Sequence, residues 1–255
     1  MTALPNTPSF RLDGRTALVA GASRGIGLGC AVALAQAGAH VICGARGEVE
    51  LTTAVAAMRD AGLSAEARVF DLADLAALEG VFAGIGRLDI FVNSAGIARH
   101  GPALQTSPAD FDAVMAVNLR AAYFASTAAA RLMLAGGRGG SIVHISSQMA
   151  HVGGIDRAVY AASKHALEGM VKAMAIEWGK QGIRVNTICP TFIRTALTEP
   201  TFANPERLAW IMSKIKLARA GAVEDIMGAV SFLASDAAAM ITGASLRVDG
   251  GWTAG

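Results

Sequence analysis

Residues Thr16-Ala17-Leu18-Val19-Ala20-Gly21-Ala22-Ser23-Arg24-Gly25-Ile26-Gly27 decide the fold. The first five are a short apolar run, which reads as a strand buried on both faces. Gly21, Gly25 and Gly27 follow at GxxxGxG spacing, and an alanine-rich stretch at 26–37 reads as helix. Strand, glycine turn and helix in that order make a phosphate cradle. Glycines let the backbone turn sharply and approach a pyrophosphate, and the helix N-terminus adds free N–H groups and partial positive charge. Elsewhere a glycine cluster would read as plain turns; its place between the first strand and the first helix gives it meaning.

The same alternation continues outward. Apolar runs at 41–43, 67–70, 90–92, 142–145, 185–188 and 246–248 read as further buried strands. Stretches 49–61, 75–85, 108–134, 158–180 and 223–235 read as the helices between them. This pattern predicts an α/β, doubly wound Rossmann fold: a seven-stranded parallel sheet with helices on both faces. Ligands of such folds bind beyond the carboxyl ends of the strands, where strand order reverses. No repeat or linker divides the 255 residues, so a single domain over 1–255 is expected. Segment 191–217 breaks the rhythm with Pro200, Pro205, Phe192, Phe202 and Trp210. A connection that long inside a compact domain predicts a substrate loop or lid.

Composition excludes several classes. Apolar residues make up 53% of the chain and charged ones 16%, enough for a packed core and too little charge for disorder. Net charge is +2 with no Lys/Arg run, so a basic face for nucleic acid or a membrane surface is not expected. No long uncharged apolar stretch would span a bilayer, and residues 1–9 lack the basic and apolar regions of a secretory signal. A cytoplasmic location is the expectation. Cys30, Cys43 and Cys189 are scattered through segments that read as buried, with no CxxC. His40, His100, His144, His151 and His165 show no metal-ligand spacing, so no metal is expected and a structural role suits most of them.

Tyr160-Ala161-Ala162-Ser163-Lys164 carries the strongest chemical signal. Helix positions four apart share a face. A free phenol titrates near pH 10, and bringing such a group to neutrality takes about 4 kcal/mol. An ammonium about 4 Å away supplies roughly that much at an effective dielectric near 20. The pair therefore predicts a general acid–base. Thirteen residues before Tyr160, the run Ile142-Val143-His144-Ile145-Ser146-Ser147 ends in hydroxyls that can donate to a substrate oxygen. Asn118 falls inside a helical stretch, where an amide is unfavourable without a purpose.

On the GxxxGxG turn, the Tyr160/Lys164 pair and the Ser147 spacing, the chain resembles the short-chain dehydrogenase/reductase family over residues 12–252. It resembles 3-oxoacyl-(acyl carrier protein) reductase-like and sugar-acid or polyol dehydrogenase-like members. The resemblance implies hydride transfer between a nicotinamide dinucleotide and a carbonyl/alcohol small molecule. It puts Asn118, Ser147, Tyr160 and Lys164 at the catalytic positions. Ser147 would orient the substrate oxygen, Lys164 would also hold the nicotinamide ribose, and Asn118 would open its helix to a water leading to the lysine. Tyr160 would line the cofactor too.

The same resemblance assigns Gly21, Ser23, Arg24, Gly25, Ile26 and Gly27 to the pyrophosphate turn. Asn93-Ser94-Ala95-Gly96 is similar to the N-N-A-G element, with Ser94 in place of the second Asn; Asn93, Ala95 and Gly96 would line the adenine-ribose side. Asp71 and Leu72 match an adenine-contacting pair. Pro190 to Thr195 resembles the P-G-x-x-x-T element, Thr191 replacing the glycine; the Ile193 backbone would grip the carboxamide and Thr195 would touch phosphate. NAD-preferring members carry Asp where this chain has Ala45, and Arg46 follows. With Arg24 as a second cation this favours NADP(H), NAD(H) being the alternative and Glu48 and Glu50 softening the preference.

Gln148, Met149 and His151, just past Ser147, and the loop aromatics Phe192 and Trp210 are the candidate substrate contacts. The resemblance also implies a homotetramer packed through the helices at 108–134 and 158–180. Two other classes are weighed. A catalytically silent dinucleotide-binding sensor would carry a lesion in the Ser–Tyr–Lys set. An NAD-retaining nucleotide-sugar epimerase or dehydratase would carry another glycine spacing and an added substrate domain. The residues show neither feature.

Overall fold

Seven strands form one parallel sheet: β1 (Thr16–Ala20), β2 (His40–Ala45), β3 (Ala65–Val69), β4 (Ile90–Asn93), β5 (Gly140–Ile145), β6 (Ile183–Pro190) and β7 (Ser245–Val248). Their order is β3-β2-β1-β4-β5-β6-β7. The structure is a computed structural model that describes residues 4–255, so residues 1–3 of the stretch read against a secretory signal lie outside the described residues. The helices are α1 (Gly25–Gln36), α2 (Glu48–Asp60), α3 (Leu75–Ala83), α4 (Pro108–Met115), α5 (Ala122–Ala135), α6 (Ala158–Trp178), α7 (Glu199–Phe202), α8 (Pro205–Lys214) and α9 (Glu224–Ala234).

Strand side chains alternate between two cores, as a period of two requires. Ala17, Val19, Ile90, Val92, Val143 and Ile145 pack on one face with α1, α2 and α9. Leu18, Ala20, Phe91, Ile142 and Val185 pack on the other with α3, α5 and α6. β1 pairs with β2 on one side and β4 on the other. The order reverses there, and Gly21 and Ser94 leave the sheet side by side, the Ser94 amide donating to the Ala20 carbonyl at 2.9 Å.

Two expectations are corrected. The stretch at 108–134 is not one α-helix: a six-residue π segment, Ala116–Ala121, separates α4 from α5. β3 begins at Ala65 rather than 67: this edge strand carries half-buried Glu66 and Arg68 on its face toward α3, where Arg68 donates to the Val81 carbonyl at 3.2 Å, and so lacks a continuous apolar run. Segment 191–217 contains α7 and α8, whose Phe202, Ile211 and Ile215 pack with Trp252.

Candidate active site

The glycine turn explains its own composition. Gly21 and Gly25 adopt φ of +82° and +55°, which side chains disfavour. A Cβ on Gly21 would stand 2.9 Å from the Ala95 nitrogen, and one on Gly27 would overlap the Gly21 carbonyl oxygen. The N-terminus of α1 has no side-chain cap: Arg24 stands at that position with extended backbone, and its side chain bonds elsewhere. A Cβ on Gly25 would come within 3.4 Å of the Thr195 methyl, so the element after β6 lies against the same turn. Close backbone approach, an uncapped α1 N-terminus and Thr195 together fit a dinucleotide pyrophosphate.

The residues expected at the ribose end are charged and largely exposed. Ala45 closes β2. Arg46 pairs with Asp71 at 3.6 Å and Arg24 with Glu50 at 3.1 Å. Ser23 Oγ is 3.5 Å from Glu50, which shares the first turn of α2 with Glu48. Such exposed pairs contribute at most about 1 kcal/mol and exchange readily for a phosphate. Asp71 accepts from the Ala73 amide at 2.9 Å, and Asp74 caps α3. Leu72 is buried.

Asn93 holds the turn after β4 by accepting from the Ala95 amide at 3.1 Å. Its amide nitrogen is 3.4 Å from His144, whose far nitrogen meets Ser126 at 2.9 Å. Burial pushes His144 down to about 3, so it is a neutral link between β4, β5 and α5.

The remaining residues converge on α6. Lys164 is buried and its Nζ donates to the Ile145 carbonyl at 2.9 Å, with the Tyr160 ring centre 5.7 Å away. Ser147 lies two residues beyond Ile145; its Oγ accepts from the Met149 amide at 3.1 Å, capping the short turn Gln148–Ala150, which packs on α6. Asn118, in the π segment, accepts from the Ile97 amide at 2.9 Å and donates to the Ile97 carbonyl at 2.9 Å and to Ser163 Oγ at 3.1 Å. Ser163 in turn donates to the Tyr160 carbonyl at 2.7 Å. A Cβ on Gly96 would meet Asn118 Oδ1 at 3.4 Å and Lys164 Nζ at 3.8 Å. The loop that supports the glycine turn therefore also touches the lysine.

Pro190 ends β6, and Ile193 bridges to Gly221 while its carbonyl accepts from Thr198 at 2.6 Å. Phe192, Trp210 and Trp252 form an aromatic cluster with ring centres 5.2–6.4 Å apart. Buried Gln148 Oε1 and Thr191 Oγ1 have no hydrogen-bond partner. A ring nitrogen of His151 lies within 4.8 Å of the Glu168 carboxylate and the Cys189 thiol. Glu168 accepts from Thr187 at 3.0 Å, from Cys189 at 3.4 Å and from Ser245. Burial pushes the Cys189 thiol up to about 12, so it keeps its proton.

Two side chains beside Tyr160 were missed. The His100 ring stands edge-on to the Tyr160 ring, 5.7 Å between centres, and accepts from Arg157 Nη1. The signal was present: Arg157 occupies the N-cap of α6, where Ser, Thr, Asp or Asn is preferred and a cation opposes the helix dipole.

Fold and site define an NAD(P)-dependent oxidoreductase of the ketone/secondary-alcohol class. A family model described as enoyl-(acyl carrier protein) reductase matches residues 21–253. Gluconate 5-dehydrogenase of Gluconobacter oxydans is 39% identical over 248 residues, 96% of each chain. D-threitol dehydrogenase of Mycolicibacterium smegmatis is 42% identical, covering 96% of this chain and 95% of that one. The crystal structure of a gluconate 5-dehydrogenase from Burkholderia cenocepacia, in complex with NADP and tartrate, superposes with a TM-score of 0.93 at 37% identity, covering 96% of this chain and 98% of that one. The chain belongs to the short-chain dehydrogenase/reductase family.

Proposed function

We propose that this protein interconverts a hydroxylated ketone and its secondary alcohol, of the sugar-acid or polyol kind, with NADP(H) preferred over NAD(H). The observation that carries the reading is the Lys164–Ile145 hydrogen bond, which fastens the helix of Tyr160 to the strand end that presents Ser147. The relatives' names support the substrate class: gluconate and threitol dehydrogenases. Arg46 and Arg24, each paired with one solvent-accessible carboxylate among the described residues, support the 2′-phosphate.

The bound nicotinamide supplies or accepts the hydride. Tyr160 gives its phenolic proton to the substrate oxygen during reduction and takes it back during oxidation. The buried Lys164 ammonium stabilises the phenolate left behind. Ser147 Oγ already accepts from Met149, which leaves its own proton free to donate to the same substrate oxygen. Asn118 holds the π turn against Ile97 and Ser163, and so places the route by which Lys164 and Tyr160 are reprotonated. Gly21, Ser23, Gly25, Ile26, Gly27 and Thr195 would hold the pyrophosphate, Asp71, Leu72, Asn93, Ala95 and Gly96 the adenosine side, and Pro190 and Ile193 the carboxamide.

Residues 191–217 act as the substrate loop of a one-domain enzyme, their aromatic cluster supporting that reading. A homotetramer through α5 and α6 is supported by exposed Tyr123, Phe124 and Ile176 on those helices. A reducing compartment suits three separate buried thiols. No helix among the described residues is long and apolar enough to cross a membrane. The reading is tested by nicotinamide turnover against a panel of carbonyl and alcohol substrates, NADPH beside NADH, with Tyr160→Phe as the blank; no turnover above that blank rejects it. Light scattering behind a sizing column reads the oligomer, and a monomer mass rejects the tetramer.

A further inference from the structure

Proton and hydride transfer leave one cation beside Tyr160 without a task. Arg157 stands three residues before Tyr160, at the start of α6. It donates to His100, and its guanidinium carbon lies 5.6 Å from the centre of the Phe192 ring on the substrate loop. Arg24, Arg46 and Arg194 near the cleft each meet a carboxylate; Arg157 meets none among the described residues. A second arginine, Arg207 in the first turn of α8, acts on both Arg157 and His100 by its charge. Tyr160 and, less, Asp156 oppose its effect on Arg157 only through space, and the Asp156 side chain is exposed.

His100 itself adds no charge. Burial first, then Arg157 and Arg207, push it down to about 4, so at neutral pH it is an acceptor that aims the guanidinium. Two arginines and a helix N-terminus of like sign, gathered where Arg157 is partly desolvated, are unfavourable unless an anion sits among them.

We propose that Arg157, aimed by His100 and reinforced by Arg207 from α8, is the carboxylate anchor of the substrate, so that the enzyme acts on polyhydroxy acids in preference to neutral polyols. This rests on the oxidoreductase reading above and adds to it a choice between the two substrate kinds. A guanidinium binds a carboxylate through two parallel hydrogen bonds and gives a neutral hydroxymethyl group no such match.

The test is calorimetric titration of the NADP⁺-loaded protein with three pairs matched in length: D-gluconate and D-glucitol, D-xylonate and xylitol, L-threonate and L-threitol. The tightest-binding acid is expected to exceed its polyol by at least about tenfold. Arg157→Gln should weaken that acid about 10–100-fold and its polyol far less, Arg157→Lys should restore part of the loss, and in turnover KM should rise much more than kcat falls. Arg207→Gln, on the surface of α8, gives the same sign at smaller size and serves if Arg157→Gln is unstable. An acid advantage below threefold in every pair, or equal weakening of acid and polyol in both variants, overturns the proposal. Turnover of neutral substrates without an acid advantage sinks this inference alone; absence of turnover across the whole panel sinks the reading beneath it.

Discussion

Lys164 Nζ is bonded at 2.9 Å to the carbonyl of Ile145, the last residue of β5, so one buried ammonium joins the helix of Tyr160 to the strand that leads into Ser147. A buried cation must be hydrogen-bonded, and here the bond does positional work as well.

Tyr160→Phe should lower kcat by about 10²–10⁴ while far-ultraviolet circular dichroism and the melting temperature hold. Lys164→Met removes both the ammonium and the tie to Ile145, so it should lose as much activity and melt lower. A Tyr160→Phe enzyme within tenfold of the parent would show that another group moves the proton.

Asn118→Leu strands three groups, the Ile97 amide, the Ile97 carbonyl and Ser163 Oγ. Each unsatisfied buried group costs about 1–3 kcal/mol. The Ile97 groups are only part-buried and Ser163 keeps its bond to the Tyr160 carbonyl, so the urea midpoint should drop by an amount equal to about 2–4 kcal/mol, and activity should fall with it. An unchanged midpoint means the π turn is held by something else.

The parts that were legible in the sequence are those where backbone demand leaves one residue type. Gly21 and Gly27 must lack a Cβ, so the turn announces itself. Tyr160 and Lys164 share a helix, so spacing alone pairs them. The π segment was legible only in part: Ala116–Ala121 has the composition of an ordinary helix, but the resemblance assigns Asn118 to opening that helix, while Ile97 and Ser163, which bond Asn118 there, are distant in sequence. The contact of His100 with Arg157 was not legible, although the cation at the N-cap of α6 was a signal. They lie 57 residues apart and meet only after β4 and α6 have packed.

Glycines should answer to space. Gly27→Ala drives a methyl into the Gly21 carbonyl at the centre of the turn and is expected to cost about 1–3 kcal/mol and to abolish NADP⁺ binding. Gly80 in α3 has nothing within 4 Å of its Cβ position, so Gly80→Ala should stabilise by about 0.5–1 kcal/mol. Scanning calorimetry should show melting shifts of opposite sign; two shifts of one sign would contradict the packing.

Arg219 donates to both oxygens of Asp225 at 2.6 and 2.7 Å, and the Ala222 amide donates at 2.8 Å. These bonds hold the Asp225 carboxyl down at about 2. A depressed carboxylate stabilises the fold above its unfolded value, near 4, and that contribution fades as pH falls toward 2. Because Arg219 is exposed, solvent screens the pair and the contribution is small. Asp225→Asn should therefore melt below the parent at pH 7, with the gap narrowing at pH 3 and closing toward pH 2; a gap independent of pH would mean the pair acts by shape alone.

Cofactor choice should respond to the carboxylates as well as to the arginines. Glu50 holds Arg24 at 3.1 Å and Asp71 holds Arg46 at 3.6 Å, so a 2′-phosphate must compete with both. Glu50→Gln frees Arg24 and removes a negative charge from the same surface; 2′,5′-ADP should bind about 3–10-fold tighter, with 5′-AMP moving less. Arg46→Ala should reverse the sign, weakening 2′,5′-ADP at least about tenfold more than 5′-AMP. Titration calorimetry with the two nucleotides reads the phosphate term apart from catalysis. If the parent protein binds 5′-AMP as tightly as 2′,5′-ADP, Arg46 is a solvated surface residue and the NADP(H) preference fails with it.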